Sequence, residues 1–133
     1  MPEDAEQIIE IARATRAELS SLQLDLEVEI EAIEQAVFAA NRPMTNAEIK
    51  RHDQLRAALA ETHDAFRELG FVTLQALNSS ETVKRLLADV EDVNKQIQSD
   101  LQRLKKIAKF AQTAASILDG LAKLAAKLAS LAA

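Results

Sequence analysis

Cysteine, tryptophan and tyrosine are absent from this 133-residue chain, which also has only two Gly, two Pro and four Phe. Without cysteine the chain can form no disulfide scaffold, no thiolate metal site and no thiol nucleophile. The scarcity of glycine excludes a collagen-like repeat. Strands favour β-branched and aromatic residues, whereas the 25 Ala and 18 Leu of this chain favour helix. The composition therefore predicts an all-α protein.

Long apolar runs and a recognisable signal sequence are also absent. The longest uncharged run, residues 69–80, has twelve residues and is partly polar, whereas an ordinary membrane-spanning helix needs about 18 apolar residues. The N-terminus is acidic and has no basic region before an apolar core, so it does not resemble a secretory signal. We expect a cytoplasmic protein, and export by a pathway without a cleaved signal stays open.

Apolar side chains spaced by three and four residues predict amphipathic helices along most of the chain. The first helix is expected over residues 3–40 and is followed by Pro43, which cannot continue a helix. The second is expected over residues 46–77. Thr45 and Glu48 match the capping-box pattern at its start, since a hydroxyl and a carboxylate three residues apart can each accept a backbone N–H.

The last stretch, residues 80–133, has no Pro and a heptad seam of apolar residues that Asp100 interrupts. One long third helix is the economical interpretation, and a break at Asp119–Gly120, giving a short fourth helix, is the alternative. Short links make sequential helices antiparallel. We therefore expect one all-α domain over residues 1–133, an elongated antiparallel three-helix or four-helix bundle with coiled-coil-like packing and a long C-terminal helix.

A helix over residues 80–133 would be longer than its neighbours. At about 1.5 Å per residue it would span roughly 80 Å, against roughly 57 Å for the first helix. It would then project by several turns beyond the other two. The expected overhang is approximately residues 115–133.

The overhang carries a wide apolar stripe. From Lys109 onwards the polar residues fall in one arc, and the remaining surface divides into a row of large side chains and an Ala face that includes Leu118. The large side chains together with Leu118 are called the C-terminal ridge: Phe110, Ile117, Leu118, Leu121, Leu124, Leu128 and Leu131. An uncovered stripe of this width causes aggregation. We expect the ridge to be the interface of the protein, covered by a second copy, another protein or lipid, unless the chain turns back at Gly120.

Charge is distributed unevenly along the chain. Residues 1–41 have ten acidic and two basic residues, a net charge of −8, whereas residues 102–133 have six basic and one acidic residue, a net charge of +5. Opposite charges of this kind favour pairing between the first and last helices. The alternative is an acidic arm and a basic tail that bind different partners.

No residue pattern predicts catalysis, a cofactor or a metal ion. His52 and His63 are eleven residues apart, roughly 16 Å along a helix, so one ion cannot bind both. The chain has no Gly-rich phosphate loop and no nucleophile elbow. The basic cluster at residues 103–109 is small and lacks the aromatic rings that stack on bases, which argues against nucleic-acid binding. We expect no enzyme activity.

These observations favour a non-enzymatic helical bundle that acts by association, as a homo-oligomer or with a helical protein partner, through its C-terminal helix. The alternative is a membrane-active bundle, since Lys123 and Lys127 opposite the C-terminal ridge suit a helix lying at a lipid interface. In this amphipathicity the chain resembles long-helix bacterial pore-forming proteins and apolipoprotein-like bundles. That resemblance implies release of an apolar helix into lipid, and the absence of Trp and Tyr anchors counts against it.

Overall fold

The computed structural model describes residues 2–70 and 72–132, and over these residues the chain forms α-helices and no strand. The helices are α1 (Pro2–Ala40), α2 (Asn46–Leu69), α3 (Ser80–Leu104) and α4 (Ala108–Ala132), with a short 3₁₀ turn at Ala76–Asn78. The all-α prediction is therefore confirmed. Phe71 and Ala133, which the expected helices include, lie outside the described residues.

The four helices form an antiparallel bundle in chain order. α1 packs against α2 and α4, and α3 packs against the same two helices on the other side. The α1 stripe of Ile8, Leu19, Leu22 and Leu26 faces inward together with apolar side chains of the other three helices. Each helix thus contributes one stripe to a shared core, as the spacing of apolar residues predicts.

The chain turns at residues 105–107, and the expected single helix over residues 80–133 is wrong. α3 ends at Leu104, where the amide of Lys106 donates to the carbonyl of Arg103 at 3.1 Å and that of Ile107 to Leu104 at 3.0 Å. No Gly or Pro marks this turn. Its physical cause is tertiary, because a straight helix would leave the stripe of α4 in water, whereas turning back buries it against α1 and α3. The described part of the expected overhang, residues 115–132, is therefore part of the bundle.

Gly120 lies inside α4 and does not break it. A Cβ at this position would collide with Thr15 Oγ1 and would lie 3.2 Å from Thr15 Cβ. Thr15 is itself buried in the contact between α1 and α4. The glycine is therefore explained by close approach of two helices, and not by the turn that the sequence offered as an alternative.

The second helix is shorter than the expected range of residues 46–77. α2 ends at Leu69, and the amide of Gly70 donates to the carbonyls of Phe66 and Arg67. Thr73 Oγ1 then accepts the amide of Ala76 at 3.3 Å, so a side chain supplies the bond that a continuing helix would have made. The weak helix formers after Leu69 favour this end.

Substitution of Gly120 tests the close contact between α1 and α4. Gly120→Ala is expected to lower the free energy of unfolding by about 1–3 kcal/mol through overpacking, although Ala is intrinsically the better helix former by roughly 1 kcal/mol. Urea unfolding followed by circular dichroism measures the change. In the double variant Thr15→Ala/Gly120→Ala the loss should be smaller than the sum of the single losses. Stabilisation by Gly120→Ala alone would contradict the close contact.

Candidate association surface

The C-terminal ridge lies inside the bundle. Five of its side chains have 0% exposure: Phe110, Ile117, Leu121, Leu124 and Leu128. Leu118 and Leu131 are half-buried and pack against the same core. In this conformation α1 and α3 cover the ridge, so it needs no second molecule to exclude water. The surface that the sequence assigned to a partner is occupied by the chain's own helices.

A pair of Leu substitutions distinguishes a core ridge from an exposed one. Leu121→Ala is expected to destabilise the bundle by about 2–5 kcal/mol, because it opens a cavity in a closely packed interior. Leu118→Ala, on the same helix but half-buried, is the matched control and should cost clearly less. Thermal melts measure both changes. Equal and small losses would show that the ridge is not enclosed.

A different segment projects from the bundle. Lys109 at the start of α4 forms an ion pair with Glu29 of α1 at 2.7 Å, and Arg51 of α2 approaches the same carboxylate at 3.6 Å. These contacts hold the pKa of Glu29 below its usual value, chiefly through the hydrogen bond from Lys109. Beyond Glu29, α1 continues for eleven residues to Ala40, about 16 Å, with only α2 beside it.

The projecting part, which we call the distal hairpin, comprises residues 31–54. Every one of these residues is exposed or half-buried, whereas Ile30 and Leu55 on either side are buried. The distal hairpin therefore consists of two helices without a core of their own. Such a pair keeps little stability from apolar burial and needs local polar contacts to stay ordered.

Capping interactions supply that local order. The amide of Glu48 donates to Thr45 Oγ1 at 3.2 Å, and the amide of Thr45 donates to Glu48 Oε1 at 3.0 Å, which confirms the capping box. Arg42 donates to both carboxylate oxygens of Glu48, at 2.7 and 3.1 Å. The hydrogen bond from Arg42 and then the Thr45 amide lower the pKa of Glu48 to about 2. At Asn41 the backbone takes a φ of 51°, a left-handed conformation that Asn tolerates better than most residues.

Removal of the cap tests how the distal hairpin is held. Thr45→Ala is expected to cost about 1 kcal/mol locally, so amide exchange at residues 46–50 should be about fivefold faster while the global melting temperature changes little. Hydrogen exchange read residue by residue measures this. Thr73→Ala, which removes a hydroxyl-to-amide bond outside the distal hairpin, is the control and should leave residues 46–50 unchanged. Unchanged exchange in Thr45→Ala would contradict the role of the cap.

An open groove lies between α1 and α2 on the side away from the core. Its volume is about 620 Å³, and Ile30 and Leu59 contribute apolar side chains to it. Its remaining lining is a wall of acidic residues on α1 and a mixed wall on α2, together comprising Glu27, Glu31, Arg56, Ala60, His63 and Asp64. We call this surface, with the exposed apolar residues beside it, the outer α1–α2 face.

Phe38 is the most exposed large apolar side chain among the described residues, at 88%. It follows Glu31 by seven residues, two helical turns, so it stands on the same strip of α1 as the acidic wall of the groove. A shallower hollow of about 440 Å³ lies beside it, lined in part by Val37, Pro43 and Met44. The outer α1–α2 face thus presents a protruding ring and an apolar groove side by side.

Two histidine contacts set the register between the helices of this face. His52 Nε2 lies 2.8 Å from Glu34 Oε1, and His63 Nδ1 lies 2.6 Å from Gln23 Nε2. In that register Phe38 stands at the level of Ile49, which is also exposed. The histidines thus bridge α1 and α2 at two separate levels, and the described residues include no group of three or more His, Asp or Glu side chains placed to hold a metal ion.

Comparison with known proteins identifies no relative of this chain. No protein-family model, curated protein or solved structure matches the chain. Nor does any helix of the described residues combine the length and apolar character needed to cross a bilayer. The assignment of function therefore depends on the geometry of the chain itself.

The sequence contained a signal for this surface that periodicity alone overlooks. Leu24, Val28 and Phe38 lie off the apolar stripe of α1, on the side that a helical projection assigns to solvent. Large apolar residues on a solvent side indicate an interaction surface when they cluster. Leu24 and Val28 are one turn apart, whereas Phe38 lies about 15 Å further along the helix, so this signal is weaker than that of the C-terminal ridge.

Proposed function

We propose that this protein is a non-enzymatic assembly protein that pairs with a second copy of itself through the outer α1–α2 face. The observation that carries the proposal is the 88% exposure of Phe38 on the same face as an open groove that Ile30 and Leu59 line in part. An aromatic ring held in water on an ordered helix is costly, and burial of such a ring dominates many interfaces. The proposal keeps the association expected from the sequence but places it on α1 and α2.

The positions of ring and groove favour a copy of the same chain as the partner. Phe38 lies four residues after Glu34, and Ile30 lies four residues before it. A second copy placed antiparallel about a two-fold axis at the level of Glu34 therefore brings the Phe38 ring of each copy to the level of Ile30, and so of the groove, of the other. A two-fold interface needs this reciprocity, in which the same patch supplies both the protrusion and its socket.

Charge on the outer α1–α2 face fits the same arrangement. Arg42 lies just beyond the end of α1, four residues after Phe38, and retains 42% side-chain exposure despite its contact with Glu48. In the antiparallel pair it lies towards the other copy's groove, whose α1 wall carries the opposite charge of Glu27 and Glu31. Complementary charge of this kind chiefly fixes orientation and speeds association.

The lipid-binding alternative requires a larger rearrangement. It would use the C-terminal ridge, whose five central side chains are enclosed by α1 and α3. Lipid contact would first have to open the bundle, whereas pairing through the outer α1–α2 face uses side chains that are already accessible. Self-association is for this reason the function that we propose.

The mass of the protein in solution tests the proposal. In light scattering over a concentration series to about 1 mM, a range that includes weak pairs, the wild-type chain is expected to approach twice its 14.6 kDa. Phe38→Ser should weaken pairing at least tenfold while the circular dichroism spectrum is unchanged, because Phe38 supports no core. Leu74→Ser is the control, since Leu74 is also exposed but lies outside the distal hairpin. A wild-type mass of one chain at every concentration would overturn the proposal, as would equal effects of the two substitutions.

A further inference from the structure

The contact between α2 and α3 contains a buried carboxylate, on a stripe of α3 whose other buried residues are apolar. Asp100 has 9% exposure and interrupts a run of buried residues on α3, including Ile97, Leu101 and Leu104. Arg103 Nη1 lies 3.4 Å from Asp100 Oδ1, and its own side chain is largely exposed. A buried acid with so weak a partner is costly unless a second group compensates its charge.

The second group is itself an acid, Glu61, which avoids repulsion with Asp100 only in its protonated form. Glu61 of α2 lies within hydrogen-bonding reach of Asp100, and its Oε2 atom is buried without a hydrogen-bond partner. Within the described residues, the charged groups that face the Glu61 carboxyl are Asp100 and Arg103 of α3 and Asp64 of its own helix. Two acidic groups and one base therefore face this carboxyl across and along the contact.

We propose that Glu61 and Asp100 share one proton, which joins α2 to α3. With the proton present, the Glu61 carboxyl donates a hydrogen bond to an Asp100 oxygen, which gives the buried Oε2 atom of Glu61 a partner. Only one negative charge then remains beside Arg103. Without it, two carboxylates repel each other where water has little access. The pair acts as a pH-dependent clamp between two helices, independently of the pairing surface on α1 and α2.

The environment of Glu61 agrees with this geometry. Burial of its carboxyl, the hydrogen bond with Asp100 and the charge of Asp100 together raise the pKa of Glu61 to about 7, against a small opposing effect of Arg103. Carboxyl pairs in which like charges cannot both ionise behave in this way. The acid therefore changes charge near neutrality, far above the usual range of a glutamate.

The sign of the pH effect follows from proton binding. In the unfolded chain Glu61 would titrate at its ordinary value of 4.5, whereas in the bundle it keeps its proton to about pH 7. Between these values the folded state binds more protons than the unfolded state, so stability falls as the pH rises. Above about pH 7 Glu61 is ionised in both the folded and the unfolded chain, so its effect on the free energy of unfolding no longer changes with pH.

The contact between α2 and α3 has room to loosen when the carboxylates of Glu61 and Asp100 repel each other. Of the four neighbouring helix pairs, α2 and α3 pack least closely. A partly enclosed cavity of about 240 Å³ also lies beside Asp100, between Leu55 and Ala58 of α2 and Leu104 of α3. Loss of the shared proton is therefore expected to loosen this pair of helices before the others.

Carbon-detected NMR titration of the wild-type chain tests the shared proton directly. The side-chain carboxyl of Glu61 is expected to titrate with a midpoint near pH 7, and Asp100→Asn should lower that midpoint by at least one pH unit, because it removes the repelling charge. Amide exchange in α2 and α3, corrected for its intrinsic pH dependence, should show faster opening above the midpoint. A wild-type midpoint below about pH 5.5 would overturn the proposal without any variant.

A neutral replacement tests the consequence for stability. Glu61→Gln keeps a donor toward Asp100 and cannot ionise, so its melting temperature is expected to exceed that of the wild type at about pH 8 by several degrees. The difference should shrink towards about pH 5, where Glu61 is protonated in the folded chain. Glu91→Gln, an exposed substitution on α3, controls for the charge change and should give a difference that does not vary with pH. A pH-independent difference for Glu61→Gln would contradict the clamp.

Discussion

Covering the apolar stripe of α4 is the constraint on which the rest of the structure depends. The stripe is too wide for water, and the chain covers it by turning at residues 105–107 so that α1 and α3 enclose it. Three other features follow. α3 and α4 are each 25 residues long, and α1 packs against α4 as well as α2. Residue 120 must be small because α4 lies directly on Thr15.

Helical structure and the inward stripe of α1 could be predicted from the sequence because they depend on local spacing. Burial of the C-terminal ridge could not, since the sequence assigned it to an external interface. The cap at Thr45 and Glu48, the end of α1 before Pro43 and the inward stripe of α1 all agree with simple helical rules. The turn after Leu104 could not be predicted in this way. No breaking residue stands there, and its cause is the match between stripes that are far apart in sequence.

That single turn also decided where an association surface was expected. With one long helix, the excess length belongs to the C-terminus and the C-terminal ridge needs an external cover. With two helices, the excess length belongs to α1 and the exposed side chains are Phe38 and Ile49. The helix lengths do differ, but the projecting turns belong to α1 and α2 and not to the C-terminal helix, at the same end of the bundle. Glu61 could not be found from the sequence because its significance depends on Asp100 of another helix.

The pairing of α1 with α4 has a consequence for how the bundle forms. Contacts such as Lys109 with Glu29 and Gly120 with Thr15 join parts of the chain separated by 80 residues or more. The α1–α2 and α3–α4 hairpins close short loops and can form early, whereas the α1–α4 contact must wait for a long loop to close. The part of the inward stripe of α1 that α4 covers therefore stays exposed until α4 has been made and has docked. For this protein, the period of exposure to aggregation therefore lasts until α4 has docked on α1.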